Sequence, residues 1–394
     1  MPQSPDVFLL NLQTTPTYDF IIAGSGCAGL SLLVRLLQEP AFNDKKILLV
    51  DRDEKQANDR TWCYWERGAG MFEPVVKKTW EQLWFRSMTL SRLFDLPPYR
   101  YKLIRGNDFY RFCLGIISKA PNVHRQLGEV SEVGQDVSGA FVEVNGERVY
   151  GHYLFNSLLT DKPVMGKNEY YLHQHFKGWV IATREPVFDP AKATMMDFRT
   201  SQHHGATFVY VMPFSETEAL VEYTLFSPAL LQQGEYEAGL KQYISQQLGI
   251  DEYEIREEEN GVIPMTNYRF SRGQGRVINI GTAGGQTRGS TGYTFQFIQR
   301  HSAAIVKALK AGRDPLLEPT AKEKRAAFYD SVLLNILHHK TIPAHEIFTR
   351  LFARNDPRKV LTFLDKDNSL PEDIKLISTL PTLPFLKAAM QQWF

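Results

Sequence analysis

The sequence has almost no excess of charge of either sign. Among its 394 residues, 45 lysines and arginines are balanced by 44 aspartates and glutamates, which gives a formal net charge of +1 at pH 7. Proteins that bind nucleic acid usually carry a clear positive excess that attracts phosphate groups. The composition therefore indicates that nucleic acid is not a partner.

Cysteines are few, and their spacing does not suit a metal ion. The three cysteines, Cys27, Cys63 and Cys113, are odd in number and lie far apart. We therefore expect neither a disulfide framework nor a metal site, and a reducing compartment such as the cytoplasm fits this usage.

Long apolar runs are also missing. Arg35 interrupts the most hydrophobic stretch, so no run reaches the roughly 20 apolar residues of a transmembrane helix. Residues 1–12 contain Asp6 and lack a basic segment, which is atypical of a signal peptide. The sequence predicts a cytoplasmic protein that is soluble or lies at a membrane surface.

A glycine-rich loop follows the strand-like residues 19–23 and precedes a helix-like run. Its letters, GSGCAG, fit the pattern G-x-G-x-x-G. Gly24 permits the tight turn, Gly26 lets a pyrophosphate approach the backbone, and Gly29 lets the helix pack closely on the strand. The free N–H groups at the helix start would then face the phosphates. The residues expected to contact the cofactor here are Gly24, Ser25, Gly26, Cys27, Ala28 and Gly29.

An acidic residue completes this N-terminal unit. The strand-like residues 46–50 end at Asp51, at about the distance from the glycines at which a carboxylate binds a ribose hydroxyl. The alternative is a glycine-rich turn in a doubly wound sheet that binds nothing. Strand, loop, helix and Asp51 together favour nucleotide binding.

A second glycine-rich unit, VINIGTAGGQTRGSTGYTFQFI, spans residues 277–298. Two such units in one chain indicate a nucleotide held from both ends, as in large FAD folds. Most flavin hydroxylases carry an acidic residue in this second loop, whereas here Gly281 is followed by Thr282. That departure speaks against an ordinary hydroxylase, and no second G-x-G-x-x-G is present for a tightly held NAD(P)H.

The pattern of elements predicts an α/β fold with an inserted sheet. Strands and helices alternate in the N-terminal part, whereas residues 207–215 and 218–227 read as an antiparallel hairpin. We predict three parts: a discontinuous Rossmann-like FAD-binding domain over 1–160 and 261–315, an inserted antiparallel-sheet substrate domain over 161–260, and a helical C-terminal region over 316–394.

Five ordered motifs make the sequence resemble the lycopene cyclases of carotenoid synthesis, particularly the bacterial β-cyclases. The match rests on their order and spacing and covers roughly residues 19–310. The motifs are the dinucleotide unit at 19–37, NDRTWCYW at 58–65, residues 208–214 followed by 218–227, GVIPM at 261–265 and GSTGY at 289–293.

The resemblance implies a redox-neutral cyclisation of lycopene, through γ-carotene, to β-carotene. A proton adds to the terminal C1=C2 double bond, the cation closes onto the neighbouring alkene, and loss of a proton from C6 gives a β-ring. In this family FAD is needed in its reduced form, which would place negative charge near the developing cation in a dry pocket. NAD(P)H would then be an external reductant.

Glu222 is the candidate general acid. It lies in the apolar strand-like run VEYT and matches the acidic strand motif of the family. Strand alternation places Leu220, Glu222 and Thr224 on one face, and desolvation there would raise the carboxyl pKa as a general acid requires. The alternative is a solvent-facing glutamate on a half-exposed strand, with Glu218 as the second choice for the acid.

The resemblance also implies further contacts. The aromatic residues near position 62 could line a polyene tunnel and stabilise a cation, although such clusters are more often plain core. The remaining cofactor contacts expected are Asp51, Arg60, Thr61, Gly281, Thr282, Gly289, Thr291 and Gly292. The alternatives are a surface position for Arg60 and a tight turn before a helix for residues 289–293. The expected tunnel residues are Trp62, Tyr64, Trp65 and Tyr293.

Because lycopene is insoluble in water, the resemblance implies a protein that docks on a membrane. Residues 328–352 and the C-terminal residues 379–394 mix apolar clusters with basic residues, as interfacial segments do. An amphipathic helix packed on the core is the alternative. Two other functions stay open: an FAD-dependent isoprenoid reductase or hydroxylase that consumes NAD(P)H, and a non-catalytic carotenoid carrier in which Glu222 is dispensable.

Overall fold

The computed structural model describes residues 17–159 and 163–393 of the chain. The strands are β1 (Tyr18–Ala23), β2 (Ile47–Asp51), β3 (Thr61–Arg67), β4 (Val76–Trp80), β5 (Gln82–Arg86), β6 (Ser91–Asp95), β7 (Tyr99–Arg105), β8 (Val123–Leu127), β9 (Val130–Asp136), β10 (Gly139–Val144), β11 (Glu147–Asn156), β12 (Tyr171–Ala182), β13 (Lys192–Asp197), β14 (Ala206–Pro213), β15 (Glu218–Ser227), β16 (Glu254–Thr266), β17 (Gly273–Gln274) and β18 (Val277–Asn279). The helices are α1 (Cys27–Leu37), α2 (Gly106–Ile117), α3 (Gln233–Tyr243), α4 (Phe295–Lys310), α5 (Ala321–His338), α6 (Ala344–Arg354), α7 (Pro357–Leu364), α8 (Leu370–Ile377) and α9 (Thr382–Trp393).

The first sheet contains the strands that precede both glycine-rich loops. Its order is β17-β18-β11-β1-β2-β8, and β11 pairs in parallel with β1 on one side and with β18 on the other. Ile21 and Ile22 of β1 are both fully buried, as expected of a parallel strand covered on both faces. Because β1 and β18 run in the same direction, the loops that follow them lie at the same edge of the sheet. The predicted Rossmann-like layer is confirmed.

The second sheet has seven strands in the order β16-β12-β15-β14-β13-β5-β6. The predicted hairpin is present as β14 and β15, which pair antiparallel. Val221, Tyr223 and Leu225 of β15 pack beneath α3, whereas Leu220 and Phe226 face the large core on the other side. This core also contains side chains of β3, β7 and the C-terminal helices. The α/β class with an inserted, largely antiparallel sheet is therefore confirmed.

Two segments lie in the second sheet although their position in the sequence suggested the first. Strands β5 and β6 come from within residues 1–160, and β5 joins the sheet through a parallel pairing with β13. Residues 261–265 continue β16 and pair with β12 instead of returning to the nucleotide layer. Both depend on long-range pairing, which local patterns do not reveal. The division into domains stays a prediction, and its boundary at residues 160 and 161 lies outside the described residues.

The predicted helical C-terminal region is confirmed as α5 to α9. Leu334, Phe348 and Phe352 of this region belong to the large core, so the helices cover the second sheet. None of the helices in the described part of the chain has both the length and the apolar character needed to cross a bilayer. Within the same residues, no group of three or more histidine, cysteine or acidic side chains could hold a metal ion.

Candidate active site

The first glycine-rich loop has the shape that a pyrophosphate requires. Gly24 has φ +97°, and a Cβ at Gly29 would lie 1.9 Å from the carbonyl oxygen of Gly24. A Cβ at Gly26, in contrast, would meet nothing within 4 Å, so open space lies next to the backbone there. Helix α1 begins at the following residue without a side-chain cap, which leaves its first N–H groups available for phosphate oxygens. The loop therefore fits a dinucleotide.

Asp51 lies at the end of β2 beside this loop and contacts it directly. Its Oδ2 accepts hydrogen bonds from the backbone N of Ser25 at 2.5 Å and from the Ser25 hydroxyl at 2.9 Å. Asp51 thus fixes the shape of the loop, and its contact with a ribose stays a prediction.

Cys27, at the start of α1, carries no charge at pH 7, because burial raises the pKa of its thiol to about 12.

The second glycine-rich loop touches the first. Gly281 has φ +64°, and a Cβ placed on it would lie 2.8 Å from the Cβ of Ala28. Thr282 bonds to Thr287 within the loop at 2.9 Å between hydroxyl oxygens. Two segments about 250 residues apart in sequence therefore meet at one edge of the first sheet and form a common surface there.

A cavity of about 270 Å³ lies between this surface and the second sheet. It brings together many of the residues selected from the sequence, together with Tyr210 and Gln174, which were not selected. The selected residues at its walls are Arg60, Thr61, Trp62, Glu222, Thr282, Thr291, Gly292 and Tyr293. The selected residues outside its walls are the loop Gly24–Gly29, Asp51, Tyr64, Trp65, Gly281 and Gly289.

Two aromatic residues assigned to the tunnel lie behind the cavity wall. Tyr64 stacks on Phe295 with ring centroids 4.4 Å apart and belongs to the core beside α1. Trp65 is 3% exposed and packs edge-on against Tyr293. Both rings are therefore part of the packed core. Trp62 and Tyr293 line the cavity, and Tyr64 and Trp65 pack behind its wall.

Glu222 stands on β15 with its side chain directed to the cavity. In the sheet, Glu222 pairs with Tyr210 on β14 and with Gly178 on β12. The Thr224 hydroxyl donates to its Oε1 at 2.7 Å. Burial raises the pKa of Glu222 well above its usual range, and the negative charge of Glu259 raises it further. The carboxyl group therefore retains a proton at pH values at which an exposed glutamate is ionised.

Glu259 is the functional residue that the sequence analysis missed. It lies on β16 and pairs with Gly178 from the side opposite Glu222. A Cβ at Gly178 would lie 3.0 Å from Cγ of Glu259, so the glycine leaves room for the two carboxyl groups to approach each other across β12. Its only sequence signal was strand alternation within the charged run EIREEEN, a pattern typical of a solvated strand.

The two carboxyl groups differ in their surroundings. Oε2 of Glu259 accepts a hydrogen bond from the Thr61 hydroxyl at 2.5 Å, while Oε1 accepts none from the residues described. Burial raises the pKa of Glu259, whereas Thr61, Glu222 and Arg105 oppose that rise. Interaction with Glu259 raises the pKa of Glu222, whereas interaction with Glu222 lowers that of Glu259. The pKa of both carboxyl groups is raised, that of Glu222 more strongly, so Glu222 is the group of the pair that is favoured to keep a proton.

Comparison with known proteins gives a consistent result. The family model described as Lycopene cyclase protein matches residues 19–390. Lycopene beta-cyclase from Pantoea ananas is 27% identical over 266 residues, which cover 64% of this chain and 63% of that protein. The chain therefore matches less than two thirds of the length of that relative.

Solved structures with the same fold are more distant in sequence. A geranylgeranyl bacteriochlorophyll reductase-like protein from Thermoplasma acidophilum matches with a TM-score of 0.61 at 12% identity, over 96% of this chain and 100% of the other. A Klebsiella pneumoniae HpxO variant complexed with FAD gives a TM-score of 0.57 at 14% identity, over 92% and 99% of the two chains. At these identities the likeness shows the fold alone.

Gly26→Val tests the cofactor loop. The φ of −79° at Gly26 suits any residue, and the added atoms would occupy only the open space beside the backbone, so the protein should fold normally. FAD binding, measured by flavin absorbance and equilibrium titration, should fall at least about 100-fold because several phosphate hydrogen bonds are lost.

Gly115→Val is the matched control, because a Cβ there also meets nothing within 4 Å and the residue is exposed on α2, outside the loop. Equal FAD affinity in the Gly26 variant and the control would contradict the proposed position of the pyrophosphate.

Proposed function

The chain belongs to the lycopene cyclase family, and from this premise we propose that it is a lycopene β-cyclase. It converts the linear ends of lycopene into β-ionone rings, through γ-carotene, with bound FAD in the reduced state. The observation that carries the proposal is the buried Glu222, whose pKa burial raises, in the wall of a cavity that also borders the second glycine-rich loop. A protonated carboxyl is the group that an acid-initiated cyclisation needs.

The FAD site follows the two glycine-rich loops. The loop at Gly24–Gly29 and the start of α1 would hold the pyrophosphate, and Asp51 would lie near the ribose. Thr282, Thr291 and Gly292 would hold the part of the cofactor that borders the cavity, where the buried Thr291 hydroxyl has no partner among the described side chains. When bound, reduced FAD would supply negative charge that stabilises a carbocation.

The side chains of the cavity account for the remaining steps. Glu222 donates its proton to C2 of the terminal alkene, which leaves the positive charge on C1. Closure of the C1–C6 bond moves that charge to C5, where the aromatic faces of Trp62 and Tyr293 stabilise it. Loss of the C6 proton completes the β-ring, and the carboxyl pair, one proton short after the first step, takes that proton up. No net electrons are transferred.

We place the protein in the cytoplasm at a membrane surface, since lycopene and γ-carotene are dissolved in the bilayer. Six apolar residues of α8 and α9 support this location, because each is about half exposed or more. They are Leu370, Ile374, Leu383, Leu386, Met390 and Trp393. NAD(P)H is proposed as the external reductant of the flavin.

Replacing the acid tests the proposed reaction. Glu222→Gln should retain FAD and lycopene but lose about 10²- to 10⁴-fold in turnover, because an amide has no proton to donate to an alkene. Products are separated by chromatography after anaerobic incubation with lycopene in liposomes, with FAD either reduced or oxidised. Glu216→Gln, at an exposed turn of the same hairpin, is the control.

Wild-type protein should form β-carotene only with reduced FAD and without stoichiometric flavin oxidation. A hydrogenated or hydroxylated product, or consumption of NAD(P)H in proportion to product, would instead identify a reductase or hydroxylase. Full turnover by the Glu222 variant would remove this residue from the mechanism, and pigment binding without any product would favour a carrier.

The partner carboxylate has a separate effect on the pH dependence. Turnover requires protonated Glu222, so the rate falls as the pH rises through the pKa of that group. The charge of Glu259 raises this pKa, and Glu259→Gln should therefore shift the alkaline limb of the profile to lower pH. A kcat profile measured with saturating lycopene checks the direction; an unchanged limb would contradict the coupling of the two groups.

A further inference from the structure

A second cavity lies among the C-terminal helices, next to the candidate active site. Its volume is about 280 Å³, similar to that of the first cavity. Side chains of the C-terminal helices α5 to α9 form most of its wall, and they expose almost only apolar atoms. The main apolar lining residues are Phe328, Leu333, Ile347, Leu351, Ile377, Leu380 and Phe385.

Arg288, Ser290 and Asp330, at the inner end of this cavity, are already paired with one another or with backbone. Arg288 Nε donates to Oδ1 of Asp330 at 2.9 Å, and its NH1 group donates to the carbonyl of Phe363 at 2.8 Å. Ser290 donates to the same oxygen of Asp330 at 2.6 Å. These groups satisfy one another, so the cavity offers a ligand little beyond hydrocarbon surface. Its chemistry selects an apolar molecule without a charged head group.

Thr291 lies between this cavity and the first one, because it lines both. The first cavity, at about 270 Å³, is smaller than the roughly 300–1,000 Å³ of pockets that enclose drug-sized ligands. A chain of forty carbons needs additional room when one of its ends lies at Glu222. The adjoining apolar cavity has the position and the chemistry to provide it.

The outer end of the second cavity lies at exposed apolar surface. Leu386 and Ala389 of α9 line the cavity, while Leu383, Met390 and Trp393 of the same helix are 79%, 52% and 77% exposed. Ile377 of α8 lines it as well, and Ile374, one turn earlier, is 58% exposed. A hydrocarbon leaving a bilayer at this surface would therefore pass directly into the cavity.

We propose that the helical cavity is a second binding site for the polyene, which holds the distal half of the chain while the proximal end is protonated at Glu222. This assignment rests on the proposed function. Helices α8 and α9 form the rim through which the polyene enters from the membrane. The site accordingly recognises long unsaturated hydrocarbon chains by length and apolarity.

Ala389→Trp tests the proposal by filling the cavity. Affinity for lycopene, measured from the pigment absorbance shift with oxidised holoenzyme and detergent-dispersed lycopene, should fall about 30-fold or more, since part of the chain loses its buried surface. A truncated polyene that keeps one linear end but only half the length should still be cyclised at the wild-type rate. Ala304→Trp, on the exposed side of α4, is the matched control and should leave both unchanged.

Three outcomes would overturn the second site. The first is an unchanged affinity of Ala389→Trp for lycopene, and the second is a cyclisation rate of the truncated polyene that falls as much as the affinity for lycopene. The third is the same loss of lycopene affinity in the Ala304→Trp control. Bound FAD per protein confirms that each variant is folded, and Leu333→Trp replaces Ala389→Trp if the latter does not fold. Failure of the cyclase assignment has a different signature, because the wild-type protein would then bind lycopene but form no ring.

Discussion

The candidate site depends on a buried carboxyl group whose pKa lies well above the usual range of a glutamate. Glu222 lies among apolar and neutral polar side chains, and burial opposes its ionisation. Glu259 adds a second carboxyl close by, held by Thr61 and favoured in its charged form by Arg105. The difference between the two environments separates their roles, so that one group holds the proton and the other accepts its hydrogen bond.

The architecture makes this pair possible and places it beside the cavity that the second glycine-rich loop lines. Gly178 on the central strand leaves space for both carboxyl groups, since its two neighbours in the sheet are Glu222 and Glu259. The cavity on that side is lined by Tyr210 and Tyr293, whose pKa values burial raises, so both rings are neutral when the acid works. An acid and an uncharged aromatic wall therefore face the second glycine-rich loop across the same cavity.

Local features of the site could be read from the sequence, whereas long-range ones could not. The roles of Gly24 and Gly29 follow from a short loop pattern, and strand alternation identified the face of β15 that carries Glu222. Glu259 is different, because its position beside Gly178 depends on the register of three strands. The same reason explains β5 and β6, which join the second sheet by non-local pairing. Tyr64 and Trp65 could not be placed from the sequence, because a cluster of aromatic residues has the same sequence pattern whether it lines a cavity or packs behind its wall.

The most direct test of the account is the protonation state of Glu222 in the folded protein. Infrared difference spectra between wild type and Glu222→Gln isolate the signal of this carboxyl group, and a pH series follows its titration. The account predicts the carbonyl stretch of a protonated carboxyl at pH 7, lost in the variant and replaced by carboxylate bands only at higher pH. Carboxylate bands alone at pH 7 would contradict Glu222 as the acid that starts the reaction.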